Sequence, residues 1–73
     1  MERMIRDEIS KTLNIYANDI NGSDNLIEFG LHSLAIMQLV ETFSKHTNER
    51  FKYTDFALSP TIDAWVQLTQ KNR

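Results

Sequence analysis

Cysteine is absent from this chain of 73 residues. Its absence excludes a disulfide framework and a thiolate metal site, and it leaves redox chemistry silent about the compartment. Long apolar runs are missing as well. The longest are a few residues, far short of a membrane span, and the Met1-Glu2-Arg3 start lacks the apolar stretch of a signal peptide. A soluble, cytoplasmic domain is the expectation. A strong charge of one sign is also lacking, because 8 Lys and Arg against 10 Asp and Glu leave a formal net charge of −2. That balance argues against nucleic acid as the main partner, which needs a concentrated basic face. The terminal Lys71-Asn72-Arg73 reads as a solvated helix end. The length fits a single domain over residues 1–73, near the lower limit of what one hydrophobic core holds without metals or crosslinks, so modest stability is expected.

What is present is helical periodicity. Ile5, Ile9 and Leu13 recur at four-residue spacing between charged residues and describe one face of a first helix. From Asn14 to Phe29 the periodicity fails, and Asn18-Asp19 and Asn21-Gly22-Ser23-Asp24 supply turn chemistry. A loop of this length without secondary structure of its own is usually functional or disordered. Ile15, Ile20, Leu26 and Phe29 give it apolar pegs, so it is expected to pack, and Gly30 is expected in a backbone geometry that a side chain would obstruct.

A second helix begins at Ser33, a favoured N-cap type, with Ile36, Leu39, Val40 and Phe43 at core spacing. Leu34 and Met37 fall on a neighbouring face and are left over once the core is filled. The polar run Lys45-His46-Thr47-Asn48-Glu49-Arg50 closes this helix, and Tyr53 to Leu58 is long enough for a short third one. Pro60 marks the next boundary. Thr61 then caps a last helix in which Ile62, Trp65, Val66 and Thr69 line one face, with Leu68 beside them. The predicted fold is all-α, a small four-helix bundle of three principal helices and one short one, with a long loop after the first.

Chemistry concentrates at Gly30-Leu31-His32-Ser33-Leu34. One hydroxyl stands where a loop turns into an amphipathic helix whose first N–H groups are unpaired, a field suited to a phosphodiester. Ser33 is therefore a candidate anchor for a prosthetic arm. The plainer reading is that Ser33 only caps the helix, but this leaves Leu34 and Met37 unexplained. Other chemistries fit less well. Asp19, Asn21 and Ser23 loosely imitate a calcium loop, yet Asp24 stands where that loop needs glycine and Gly30 where it needs glutamate. His32 beside Ser33 does not make a nucleophilic pair, since adjacent residues at a helix start diverge, and no glycine two residues on builds a nucleophile elbow. His46 lies near the far end of the same helix. His32 itself reads as a solvated residue preceding a cap, and the acidic residues Glu2, Asp7, Glu8, Glu41 and Glu49 read as solvated helix faces.

The run Asp24-Asn25-Leu26-Ile27-Glu28-Phe29-Gly30-Leu31-His32-Ser33-Leu34 resembles the attachment motif of phosphopantetheine carrier domains, in which this serine receives the arm of coenzyme A. The order of helices, the long loop and the spacing from Ser33 to Pro60 resemble that family over nearly the whole chain. Asn25-Leu26-Ile27 and the later Pro60-Thr61-Ile62-Asp63-Ala64-Trp65 are similar to the aryl carrier domains of catechol siderophore synthetases, often fused behind an isochorismatase. That subtype often has aspartate before the serine, whereas His32 is similar to peptidyl carriers. Fatty-acid carriers are commonly more acidic along the second helix, where Leu34 to Phe43 here contains only Glu41.

The resemblance implies a non-catalytic carrier with 4'-phosphopantetheine on Ser33. It implies as partners a phosphopantetheinyl transferase, an adenylating enzyme that loads an aryl acid such as 2,3-dihydroxybenzoate or salicylate, and a condensation or cyclisation domain. A peptidyl or general acyl carrier with another cargo is the alternative, and an unmodified helical interaction module a more distant one. The resemblance places Met37, Tyr53 and Ala57 toward partners, and Leu31, His32 and Leu34 join them beside the serine as partner-binding candidates. A carrier that visits several enzymes in turn is expected to use a few apolar anchors and to act as a monomer, either free-standing or as the terminal domain of a longer protein.

Overall fold

The computed structural model describes residues 1–70, and the helix-end reading of Lys71-Asn72-Arg73 lies outside them. Among the described residues there are four α-helices and no strand: α1 Glu2–Leu13, α2 Ser33–Thr47, α3 Tyr53–Leu58 and α4 Ile62–Gln70. α1 packs against both α2 and α4, and α3 bridges α2 and α4. The stripe read from the sequence is the one buried, with Ile5 and Ile9 from α1 meeting Ile36, Leu39, Val40 and Phe43 from α2. α3 adds Phe56 and α4 adds Ile62 and Trp65.

Two helix ends show why the elements stop where they do. α1 closes at Asn14 and α2 at Asn48, each with φ of 58°, the left-handed geometry that asparagine tolerates better than most residues. Each cap N–H donates to the carbonyl of a serine four residues back, Ser10 or Ser44. The two serines also act through their hydroxyls: Ser10 donates to the Ile15 carbonyl, and Ser44 accepts the Phe51 N–H at 3.2 Å. At the start of α4, Thr61 Oγ1 accepts the Ala64 N–H at 3.1 Å, the expected cap.

The long connection from α1 to α2 has more structure than its missing periodicity suggests. It contains two short 3₁₀ turns, Ala17–Asp19 and Leu26–Phe29. Ile20 and Leu26 are buried as expected and Ile15 is half-buried, but Phe29 is 42 % exposed. Phe29 is the last residue of the turn Leu26–Phe29, next to Gly30 at φ of +103° where the chain changes direction, and its ring does not follow Leu26 into the core. Polar pins hold the connection in place. The Arg6 guanidinium donates to the carbonyl of Ile20 at 2.6 Å and of Ala17 at 3.3 Å, while its Nε donates to Glu2 at 3.0 Å. Farther on, Asp63 N–H donates to the Gly22 carbonyl at 3.0 Å and Leu26 N–H to the Pro60 carbonyl at 2.8 Å, tying the loop to the start of α4.

Candidate functional site

The site is built by a short relay of backbone bonds that ends at Ser33. Asn25 Oδ1 accepts the Ile27 N–H at 3.0 Å and starts the turn Leu26–Phe29. Gly30 ends it with φ of +103°, and its N–H donates to the Ile27 carbonyl at 3.0 Å. No atom lies within 4 Å of the place a Cβ would take at Gly30, so the backbone angle and not crowding is what calls for glycine. Leu31 N–H then donates to the Leu26 carbonyl at 3.1 Å, and the two leucine side chains anchor both sides of the turn in the core.

Leu31 is thus a correction to the sequence reading. At 1 % exposure it has no surface to offer a partner. The chain must dive once between the turn and α2 to cover the top of the core, and Leu31 is the residue that does so.

The cap of α2 is a second correction. Ser33 is the first helical residue, and the capping position belongs to His32, whose Nδ1 accepts the Ala35 N–H at 3.4 Å while its carbonyl accepts the Ile36 N–H at 3.0 Å. Serine is the commoner capping type, which is why sequence pattern assigns the role one residue late. The consequence favours the candidate anchor. Freed from capping, Ser33 is exposed, and its hydroxyl makes no hydrogen bond among the described residues. The Ser33 and Leu34 N–H groups belong to the first turn, where the helix supplies no partner.

Exposed apolar side chains stand close to Ser33 in sequence. Leu34 is 58 % and Met37 52 % exposed on α2, and Ile27 on the preceding turn is 51 % exposed. Tyr53 is half-buried and packs against the core, and Ala57 is half-buried. Sequence reasoning passes over Leu58, 82 % exposed at the end of α3 and two residues before the Pro60 carbonyl that holds Leu26. Its signal was an apolar residue off the stripe of a helix too short to show one.

An exposed, unengaged hydroxyl at the first turn of the longest helix, with no carboxylate in that turn, fits a covalently attached phosphodiester. His32 faces the helix through Nδ1, so that nitrogen is not poised to take the Ser33 proton. No group of three or more His, Asp or Glu side chains stands ready to hold a metal among the described residues.

A family model described as a phosphopantetheine attachment site matches residues 3–69. The chain belongs to that family. It is a phosphopantetheine carrier domain, and its prosthetic group is 4'-phosphopantetheine. Among curated proteins it is similar to the phenyloxazoline synthase MbtB of Mycolicibacterium paratuberculosis (strain ATCC BAA-968 / K-10), with 32 % identity over 69 residues, covering 94 % of this chain and 6 % of that protein. It is also similar to an isochorismatase of Bacillus subtilis (strain 168), with 34 % identity over 64 residues, covering 88 % of this chain and 20 % of that protein. The chain therefore spans a fifth or less of the length of these relatives. No solved structure gives a significant match. Domains of this kind are typically non-catalytic, and those of nonribosomal peptide synthetases work with a phosphopantetheinyl transferase and with synthetase domains.

Proposed function

We propose that this domain carries an aryl acid of the 2,3-dihydroxybenzoate or salicylate type on an arm at Ser33 and delivers it to nonribosomal peptide synthetase domains in siderophore assembly. The observation that carries the reading is Ser33 itself, a solvent-exposed hydroxyl with no competing hydrogen bond at the first turn of α2, inside the matched family region. When bound, the arm supplies a terminal thiol that holds an acyl group as a thioester. The chain's own residues do the rest. Gly30 and the buried Leu26 and Leu31 fix where the loop becomes a helix, so the attachment point is presented at a set angle. The first-turn N–H groups of α2 offer partial positive charge to an anion on the serine. Tethering then keeps the cargo at a high effective concentration near any docked partner.

The aryl assignment is supported by Pro60-Thr61-Ile62-Asp63-Ala64-Trp65, whose members cap and pack α4, and by the names of the relatives, a phenyloxazoline synthase and an isochorismatase. The partners that follow are a phosphopantetheinyl transferase, an aryl-acid adenylating enzyme and a condensation or cyclisation domain, with Leu34 and Met37 as apolar anchors and Tyr53 and Ala57 beside them. The reading places the domain in the cytoplasm, where coenzyme A is at hand. One observation favours a second reading, a peptidyl carrier: His32 stands where the aryl subtype often has aspartate.

Intact mass after incubation with coenzyme A and a broad-specificity phosphopantetheinyl transferase tests the attachment. The expected gain is one phosphopantetheinyl group, lost in Ser33→Ala. Loading assays with 2,3-dihydroxybenzoate, salicylate and amino acids, each with its adenylating enzyme, then separate the subtypes, and exclusive loading by an amino acid would replace the aryl reading with the peptidyl one.

A further inference from the structure

We infer that His32 supports the first turn of α2 only until the arm is attached, and that the phosphodiester on Ser33 then takes over that support. The inference rests on Ser33 as the attachment point. Three observations lead to it. First, α1, α3 and α4 each have an acidic residue in the first turn, Glu2, Asp55 and Asp63, whereas α2, the longest of the four, has none. The positive end of the longest helix is left to the His32 ring nitrogen.

Second, the ring is a weak support. The contact from Ala35 N–H to His32 Nδ1 is 3.4 Å, at the outer limit of a hydrogen bond, and accepting it requires the ring proton to be on Nε2. Third, His32 is exposed, so the ring can leave its acceptor position without disturbing the core. A phosphodiester adds a full negative charge and oxygen acceptors to the same turn, where anions bind more favourably than a neutral acceptor. The two supports serve the same positive helix end, so their contributions are less than additive. His32 is accordingly a positioning residue for the unmodified state: it keeps the turn around Ser33 formed for the transferase, and it is relieved of that duty by the product.

Thermal unfolding of the unmodified and pantetheinylated protein, each confirmed by intact mass, tests this in wild type, His32→Ala and His32→Asn. His32→Ala is expected to lower the midpoint of the unmodified protein by about 2–5 °C, and that of the modified protein by less than half as much. His32→Asn, which restores a capping acceptor, is expected to recover most of the loss in the unmodified form. In wild type, the ¹⁵N shifts of the His32 ring should change from a fixed Nε2–H tautomer to an averaged pattern on modification. An equal loss in both forms, or an unchanged tautomer, overturns the handover while leaving the carrier function intact. Failure of wild type to gain the pantetheine mass at Ser33 sinks the carrier reading itself, and this inference with it.

Discussion

At its C-terminal end α2 meets aromatic rings, whereas at its N-terminal end it meets a turn held by backbone hydrogen bonds. Phe43 lies 6.0 Å from both Phe56 and Trp65, ring centroid to centroid, and Phe56 lies 5.3 Å from Trp65 and 5.7 Å from Phe51. Trp65 Nε1 donates to the Phe56 carbonyl at 3.0 Å in the buried interior, so the cluster also satisfies its one polar handle. At the other end no buried ring stands among the described residues of the connection. Leu26 and Leu31 plug the gap, and the bonds to Pro60, Ile27 and His32 set the geometry. Burial is non-directional and large in sum, and a few directional bonds are each small and replaceable. The candidate site stands at the end whose geometry is set by directional bonds, and the ring cluster closes the core at the other end.

The largest loss of stability is expected at the aromatic end. Phe43 is wholly buried and pairs with the Phe56 and Trp65 rings, so Phe43→Ala is expected to cost about 3–5 kcal/mol. A domain of this size has only about 4–11 kcal/mol in all, so denaturant unfolding should show loss of most of the stability. A cost below about 1 kcal/mol would mean that the rings do not anchor the fold.

Arg6 pins the long connection that leads to the other end. Its guanidinium holds the Ala17 and Ile20 carbonyls, and Arg6→Met keeps much of the apolar stem while removing those donors. Because the bonds are only partly buried, the expected cost is about 1–2 kcal/mol. Amide exchange should localise it: protection is expected to fall at Ile20 and Leu26 while the Phe43 and Trp65 amides keep theirs. A uniform loss of protection would show that both ends form one cooperative unit.

The parts of this molecule legible in the sequence are those set by local period and local chemistry. The Ile36, Leu39, Val40 and Phe43 stripe, the bounds of α3 and the Thr61 cap all follow from residues a few positions apart. The parts that escape are set by contacts across the fold. Arg6 reaches carbonyls 11 and 14 residues away, and no pattern along α1 marks it for that. Gly22 is similar: a Cβ there would stand 2.1 Å from an Asp63 carboxylate oxygen, a neighbour that only the folded chain supplies. Leu31 and Phe29 exchange their expected environments because a loop has no period from which to read direction. Ser33 was visible as a residue, but the reason it is free, a histidine doing the capping, was not.

The smallest expected effect on stability belongs to the site's own rim. Met37 is half exposed on a helix face that the core does not use, and Met37→Glu puts a charge where an apolar anchor would meet a partner. Its unfolding free energy should stay within about 0.5 kcal/mol of wild type, as for surface substitutions generally. Acyl transfer to a condensation or cyclisation domain is expected to slow by about tenfold, the equivalent of about 1.4 kcal/mol of lost docking, with helical circular dichroism unchanged. If the helical signal collapsed instead, Met37 would belong to the core. If transfer kept its rate, the exposed apolar residues near Ser33 would play no part in docking, and the contrast between the two ends of α2 would describe only how it folds.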